Sequence, residues 1–296
     1  MTKIWVFPGQ GSQTPGMEAD LAQTDIGKNR FAEASALLGW SVLEKCQGDE
    51  ETLSRTVYTQ PCLFVVESIL TDLLKDKGYS PDQVAGHSLG EYSALYAAGV
   101  FDFATGLNLV RHRSQLMDKA AGGKMAAIMK FDRTALENLM ATTADVVIAN
   151  DNSPEQVVIS GTPSAVDKIL SEVKAKRAVP LKVSGAFHSP LMAIPAEEFQ
   201  RLLNSTSFHD ATVPVLSNVD PRPCTGAETL KHRLVAQMTG SVRWRETMLE
   251  MSKIGVTEAI EVGPGKVLTG LIKRTCEGLT LTNVSNLSEI ALLNGT

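Results

Sequence analysis

The pentapeptide Gly86-His87-Ser88-Leu89-Gly90 constrains the fold of this 296-residue chain more than any other stretch. It follows the apolar run Gln83–Ala85 and precedes the helix-forming run Glu91–Ala98. A serine with glycines two positions away on each side is typical of a nucleophile elbow, in which a strand turns sharply into a helix. The glycines avoid side-chain clashes at the turn, and the free N–H groups of the helix favour a developing negative charge. The motif therefore predicts Ser88 as a nucleophile.

The bulk properties of the chain exclude several classes of protein. The net charge of −5 argues against a nucleic-acid binder, which usually carries a basic excess. The four cysteines show no C-x-x-C spacing and are expected to be reduced thiols. The apolar start Met1–Phe7 is too short for a signal peptide, and no run approaches the ~18 apolar residues of a membrane span. We therefore expect a cytoplasmic protein, or one of an equivalent soluble compartment, with no nucleic-acid and no membrane partner.

Strand and helix patterns alternate along most of the chain, which predicts an α/β protein with a mostly parallel sheet covered on both faces. From about Gly123 to Gly185 the order becomes strand-helix-strand-strand-helix-strand, that of a ferredoxin-like unit. Its strands are predicted at residues 125–129, 146–149, 157–160 and 179–183, with a polar loop at 150–154. Its second helix is predicted from Thr162-Pro163 to about Lys176. The predicted organisation is a hydrolase-like large domain, residues 1–122 and 189–296, with a ferredoxin-like small domain at 123–188 inserted.

A serine nucleophile needs a base, usually a histidine held by a third group. Of the five histidines, His87 is adjacent to Ser88, so their side chains are expected to diverge at the turn. His112, His209 and His232 lie in polar surroundings and are expected at the surface. His188 lies between a strand and a helix, where proteins often place functional side chains. Local context alone leaves His188 equally open as a base or an ordinary loop residue.

Two other positions have both a plain and a functional interpretation. Arg113 is either a solvated helix arginine or a guanidinium positioned for a substrate carboxylate, which its planar fork suits. The turn around Gln10 is either a loop without a function or a place where the backbone approaches a ligand closely, which Gly9 and Gly11 permit. It is not a phosphate-binding P-loop, because no G-K-[ST] follows.

Six motifs resemble, in order and over nearly the whole chain, those of the malonyl-CoA:acyl carrier protein transacylase family of fatty acid synthesis. One such motif is a weak signal, whereas six in register are specific. The motifs are Phe7–Gln13, Gly86–Tyr92, Arg113–Met117, Asn152–Gly161, Phe187–Met192 and Val262–Gly265.

The resemblance implies a catalytic role for several residues. Ser88 would be the nucleophile that becomes malonylated, and His188 its base and then the acid that protonates the departing CoA thiolate. The backbone carbonyl of Gln237, rather than a carboxylate, would orient His188. The backbone N–H groups of Gln10 and Leu89 would bind the oxyanion.

The resemblance also implies the substrates. Arg113 would hold the malonyl carboxylate, and the malonyl group would pass from malonyl-CoA to the phosphopantetheine thiol of acyl carrier protein. Phe187 resembles the residue of malonyl-selective members, whereas Ser114 stands where glycine is commoner. No cofactor or metal of the enzyme's own is implied, since the CoA thioester is a substrate and phosphopantetheine belongs to the partner; we expect a monomer. Service to fatty acid synthesis, polyketide synthesis or both stays open.

Docking of an acidic carrier would need basic residues near the cleft, although an ordinary solvated charge is the default interpretation of each candidate. The candidates are Arg111, Lys182, Lys266, Lys273 and Arg274.

Two other functions share parts of this pattern. A serine hydrolase has the same turn but is expected to place its histidine near the C-terminus, whereas more than 100 residues follow His188. A non-catalytic module that binds carrier protein would have no need of Ser88, His188 and Arg113 together. Acylation of Ser88 with transfer to carrier protein distinguishes the three.

Overall fold

A computed structural model describes residues 2–120, 122–183 and 185–293. Within those ranges the strands are β1 (Thr2–Phe7), β2 (Gln83–Gly86), β3 (Lys124–Phe131), β4 (Val146–Ser153), β5 (Gln156–Gly161), β6 (Ala175–Pro180), β7 (Val215–Leu216), β8 (Val256–Val262) and β9 (Thr280–Val284).

The helices of the same ranges cover these strands. They are α1 (Asp25–Leu38), α2 (Val42–Gln47), α3 (Glu50–Leu53), α4 (Thr56–Asp76), α5 (Gly90–Ala97), α6 (Phe103–Lys119), α7 (Arg133–Ala141), α8 (Pro163–Glu172), α9 (Ala193–Ser205), α10 (Ala227–Gln237), α11 (Trp244–Lys253), α12 (Val267–Thr275) and α13 (Leu287–Leu292). Short 3₁₀ turns lie at Leu21–Gln23 and Pro190–Met192.

The larger sheet is parallel and has the strand order β7-β2-β1-β8-β9. Successive side chains of a strand point to opposite faces. Accordingly, Ile4 and Val6 of β1 pack into one hydrophobic cluster, and Trp5 and Phe7 pack into another. Burial on both faces is typical of parallel sheets covered by helices. The predicted α/β class is confirmed.

The smaller sheet is antiparallel and has the strand order β4-β5-β3-β6. Helices α7 and α8 contribute Leu136, Val166 and Ile169 to a separate hydrophobic cluster with the strands. The side chains of Asp132 and Thr162 cap these helices, and Thr162 stands where the sequence predicts the second helix to begin. The ferredoxin-like arrangement is confirmed, whereas the exact ends of the domain, 123 and 188, stay a prediction.

Two details of the small sheet were predicted incorrectly. No polar loop separates β4 from β5 at 150–154, because β4 continues to Ser153 and pairs Asn150 and Asp151 with β5. Helix α8 ends at Glu172, and β6 begins at Ala175 rather than 179. The residues of β6 are mostly exposed at the sheet edge, so this strand lacks the apolar alternation from which strands are predicted.

Helix α4 is long and apolar enough to cross a membrane by length and composition alone, in contrast to the expectation that no stretch would be. However, 83% of its most apolar window is buried inside the protein. Its length and apolar character are therefore accounted for by packing in the core.

Candidate active site

The nucleophile elbow forms where the sequence predicts it, between the end of β2 at Gly86 and the start of α5 at Gly90. Ser88 has a φ of 52°, a left-handed conformation that is uncommon for a residue with a side chain. A Cβ on Gly86 would lie 1.9 Å from the Gly90 carbonyl carbon, and one on Gly90 would lie 2.0 Å from the Phe7 carbonyl oxygen. Both glycines of the motif are therefore required because the chain segments pass in direct contact.

Ser88 and His188 are brought together although 100 residues separate them. The Ser88 Oγ lies 2.8 Å from His188 Nε2, and His188 Nδ1 lies 2.9 Å from the backbone oxygen of Gln237. A carbonyl can only accept, so Nδ1 carries the proton and Nε2 presents its lone pair to the serine hydroxyl. This is the tautomer that a general base needs.

His188 is almost completely buried, which favours the neutral imidazole. Burial, helped by the nearby positive charge of Arg113, lowers the pKa of His188 to about 3. The imidazole is therefore unprotonated at neutral pH and free to accept the proton of Ser88.

Arg113, on α6, is fully buried behind the serine. Its Nη1 donates to Gln60 Oε1 at 2.7 Å, and its Nη2 donates at 3.0 Å to both Ser88 Oγ and Gln237 Oε1. Within the described ranges no carboxylate forms an ion pair with this guanidinium. A buried cation with only neutral hydrogen-bond partners suits a substrate that brings its own carboxylate.

Gln10 and Leu89 line the same cavity as Ser88 and His188. Neither backbone N–H donates a hydrogen bond to another residue in the part of the chain that the structure describes. The Gln10 loop lies directly against the elbow, since a Cβ on Gly9 would be 2.4 Å from the carbonyl oxygen of His87. Two unoccupied donors beside the serine are what an oxyanion site needs.

The cavity has a volume of about 230 Å³ and adjoins a wider, outer cavity of about 740 Å³. The two share Gln10, Gly11, Leu181 and Val183. Phe187 lines the inner cavity, and Lys182 lines the outer one.

Of the other basic residues considered for docking, Arg111 donates to the Leu37 carbonyl, and Lys266, Lys273 and Arg274 are exposed. The Ser114 hydroxyl donates to the Arg111 carbonyl within its own helix.

The remaining histidines follow the sequence expectation in part. His209 and His232 are exposed, and His112 is partly buried. His87 points away from Ser88, and its Nε2 lies 2.7 Å from Asn152 Oδ1 of the small sheet.

Sequence reasoning missed three buried residues around the elbow. Asn218 bonds the Gly86 carbonyl and the Ser88 N–H, Glu91 accepts from the Gln237 side chain, and Asn152 contacts His87. Glu91 directly follows the elbow motif, which was a usable signal. Asn152 begins one of the motifs of the resemblance, which was a usable signal as well. Asn218 had none, because only the fold brings it to Ser88.

Comparison with known proteins identifies relatives along the whole chain. Residues 4–294 match the acyl transferase domain. The malonyl CoA-acyl carrier protein transacylase of Synechocystis sp. is 62% identical over 290 residues, which cover 98% of this chain and 99% of that protein. The enzyme of the same name from Escherichia coli K12 is 42% identical and covers 97% of each chain.

Solved structures give the same result. The crystal structure of the Synechocystis sp. malonyl-CoA:ACP transacylase matches with a TM-score of 0.97 and covers 99% of this chain and 100% of that one. A structure of a type II PKS acyl-carrier protein in complex with its malonyl-transacylase matches with a TM-score of 0.94 at 38% identity, with 100% of each chain covered. On sequence and on fold, the chain belongs to the acyl transferase domain family.

Proposed function

We propose that this protein is a malonyl-CoA:acyl carrier protein S-malonyltransferase that works through a malonyl ester of Ser88. The observation that carries the proposal is the position of Arg113. Its guanidinium is buried, forms no ion pair with a carboxylate among the described residues, and donates to the hydroxyl of Ser88 at 3.0 Å. A small acyl group on Ser88 that ends in a carboxylate would meet this guanidinium. The relatives named as malonyl CoA-acyl carrier protein transacylases support the same substrates.

In the first half-reaction, the Ser88 oxygen attacks the thioester carbonyl of malonyl-CoA while His188 Nε2 accepts the hydroxyl proton. The N–H groups of Gln10 and Leu89 stabilise the oxyanion, and the C–S bond breaks as His188 returns the proton to the CoA thiolate. A positioned base contributes about 10²–10⁴-fold and one oxyanion donor about 10²–10³-fold to such a rate. The products are free CoA and malonyl-Ser88.

In the second half-reaction the steps reverse with a different thiol. The phosphopantetheine thiol of acyl carrier protein gives its proton to His188 and attacks the carbonyl of the Ser88 ester. The bond from that carbonyl to the Ser88 oxygen then breaks as His188 returns the proton to this oxygen, which releases malonyl-carrier and the free serine. Every group in this route is a side chain or backbone group of this chain or a part of its substrates. We therefore propose that the enzyme needs no cofactor or metal of its own.

The surroundings of the reaction belong to the same proposal. We propose a monomer in the cytoplasm, or in an equivalent soluble compartment, that supplies fatty acid synthesis. Relatives named for polyketide biosynthesis keep a polyketide carrier as a second possible acceptor. Transfer rates to fatty acid and polyketide carrier proteins, measured side by side, decide between them.

The proposal is tested by following Ser88 itself. The protein is incubated with malonyl-CoA, and the acylated peptide is identified by mass spectrometry with and without carrier protein. We expect one malonyl group on the peptide that contains Ser88, its loss when holo-carrier is added, and no label on Ser88→Ala. Labelling of Ser88→Ala as complete as that of wild type would exclude the mechanism. Rapid release of free malonate without transfer would favour a hydrolase, and absence of any acylation a binding module.

A further inference from the structure

Glu91 is a buried carboxylate beside the elbow that the proposed mechanism does not use. It lies in the first turn of α5 and is 1% exposed. Its Oε2 accepts from Gln237 Nε2 at 2.7 Å and from the backbone N–H of Asn218 at 3.1 Å. Both donors come from parts of the chain more than 120 residues away, so one carboxylate oxygen joins three segments around the site.

The Gln237 side chain connects Glu91 to the reacting groups by hydrogen bonds. Its Nε2 also donates to the Ser88 carbonyl at 3.0 Å, and its Oε1 accepts from Arg113 at 3.0 Å. A flipped amide would present its NH₂ to the Arg113 donor and its oxygen to two acceptors. A guanidinium only donates, whereas a carbonyl and a carboxylate only accept, so Arg113, the Ser88 carbonyl and Glu91 together fix which way this amide points. The same residue supplies the carbonyl that holds His188.

Asn218 passes the contact on to the serine turn. Its Nδ2 donates to the Gly86 carbonyl at 2.5 Å, and its Oδ1 accepts from the Ser88 N–H at 2.7 Å. One side chain therefore bonds the turn at the Gly86 carbonyl and at the N–H of the nucleophile itself. The backbone N–H of the same residue donates to Glu91. The Ser88 N–H is occupied by its bond to Asn218, which leaves the oxyanion to other donors.

We propose that Glu91 is a positioning residue of the transfer reaction, whose carboxylate oxygen, through Gln237 and Asn218, holds Arg113, the acceptor of His188 and the Ser88 turn in one arrangement. This inference rests on the proposed function. It assigns Glu91 no contact with substrate. Its effect arises because reacting groups displaced by about 1 Å lose about 10²-fold in rate.

Two substitutions separate the position of the oxygen from the charge. Glu91→Gln keeps the length of the side chain and one acceptor oxygen but removes the charge, whereas Glu91→Asp keeps the charge and withdraws the oxygen by one methylene. Active sites are counted from the fraction of Ser88 that malonyl-CoA labels, and kcat and KM are then measured per active site. We expect Glu91→Asp to lose about 10²-fold in kcat with a smaller change in KM. Glu91→Gln is expected to keep most of the wild-type kcat.

Glu67→Gln is the matched control, because Glu67 is also a fully buried glutamate and accepts from Ser93 of the same helix α5. It should keep the wild-type kcat. A purely structural role would lower the number of active sites and leave kcat per site unchanged in both Glu91 variants, which overturns the inference. A kcat for Glu91→Asp equal to or above that of Glu91→Gln also overturns it. Failure of wild type to be labelled would instead overturn the proposed function.

Discussion

At the scale of single residues, Ser88 and His188 share an unusual backbone. Their φ angles are 52° and 55°, in the left-handed region that costs a residue with a side chain about 1–2 kcal/mol. Such conformations persist where the surroundings over-determine them, and both residues are held by partners from distant segments. The strain is stored where the two side chains must meet, which is consistent with the proposed roles of the pair.

The low pKa of His188 gives a prediction for the pH dependence of acylation. Burial and Arg113 hold that pKa at about 3, so the imidazole stays a base as the pH falls through the usual histidine range. We therefore expect kcat/KM for malonyl-CoA to stay level from pH 8 to about pH 5. With an ordinary histidine as base, kcat/KM would instead fall below about pH 6.5. Stopped-flow acylation measures it, with circular dichroism to verify folding at each pH.

The same shift predicts how stability changes. In the unfolded chain this histidine takes up a proton below about pH 6.5, whereas the folded protein keeps it neutral, so the unfolded state binds more protons. The contribution of His188 therefore destabilises the protein progressively as the pH falls from about 6.5 towards 3, and is absent above this range. For the activity prediction, a value of kcat/KM that falls by half near pH 6.5 while the enzyme stays folded would contradict the low pKa of His188.

Arg113 gives a prediction for substrate preference. Arg113→Ala removes the only group proposed to meet the malonyl carboxylate, which would then stay buried without its partner. The free energy of binding the malonyl group in the transition state should become less favourable by about 3–5 kcal/mol. Acetyl transfer, which brings no carboxylate, should fall much less. Competition between malonyl-CoA and acetyl-CoA measures the ratio. Arg113→Lys is the control that keeps a charge without the planar fork. An unchanged ratio in Arg113→Ala would refute the carboxylate role.

At the scale of elements, the sequence predicted those whose local pattern agrees with the fold. Helix α6 (Phe103–Lys119) is one of these, because apolar residues at helical spacing and the capping side chain of Asp102 are visible in the sequence. By contrast, α1 to α3, β9 and α13 were not predicted. Three of the four helices among them have six residues or fewer, too short for helical periodicity to show. Strand β9 lies beside β8 at the edge of the sheet and is mostly half-buried, so it too lacks a clear pattern.

The residues of the site, like the elements, were predicted where a local sequence pattern marks them. Ser88 was found from its own motif, and its context of strand and helix is local. The carbonyl of Gln237 was found only by resemblance, because a backbone group leaves no local pattern. The Gln10 turn and the fork of Arg113 were candidates on local grounds, and the resemblance then gave each its role. Asn218 was not found at all. It acts on Ser88 across 130 residues, and only the pairing of β2 with β7 brings it there.

At the scale of the whole molecule, the active-site cavity is built from both sheets. Ser88 follows β2 of the larger sheet, whereas Asn150 and Asn152 of β4 line the cavity from the smaller one. Between these two asparagines, Asp151 links the parts of the protein. Its carboxylate binds Arg133 of α7 at 2.7 Å and Arg245 of α11 at 2.9 Å.

The backbone follows the same path across the cleft. The Asp151 N–H donates to the Val242 carbonyl at 2.9 Å, and the Val242 N–H donates to the Ala149 carbonyl at 2.8 Å. The edge of the small sheet is thus bonded to the segment that precedes α11, and the two asparagines on the cavity wall are held by these links.

Arg245 is the place to test this arrangement, since it crosses from one part to the other. Arg245→Ala leaves the contacts of Ser88, Gln237 and Arg113 in place but removes a hydrogen bond between charged groups, which is worth about 1.5–3 kcal/mol. The β4 wall should then hold malonyl-CoA less well, with KM raised about tenfold and kcat nearly unchanged. Arg133→Ala removes the other arginine of Asp151, which lies on the same side of the cleft as β4, and should raise KM less. Steady-state kinetics of the two variants gives kcat and KM for malonyl-CoA. A fall in kcat at constant KM in Arg245→Ala would contradict this prediction, because the Arg245–Asp151 ion pair would then act on the reacting groups and not on the β4 wall.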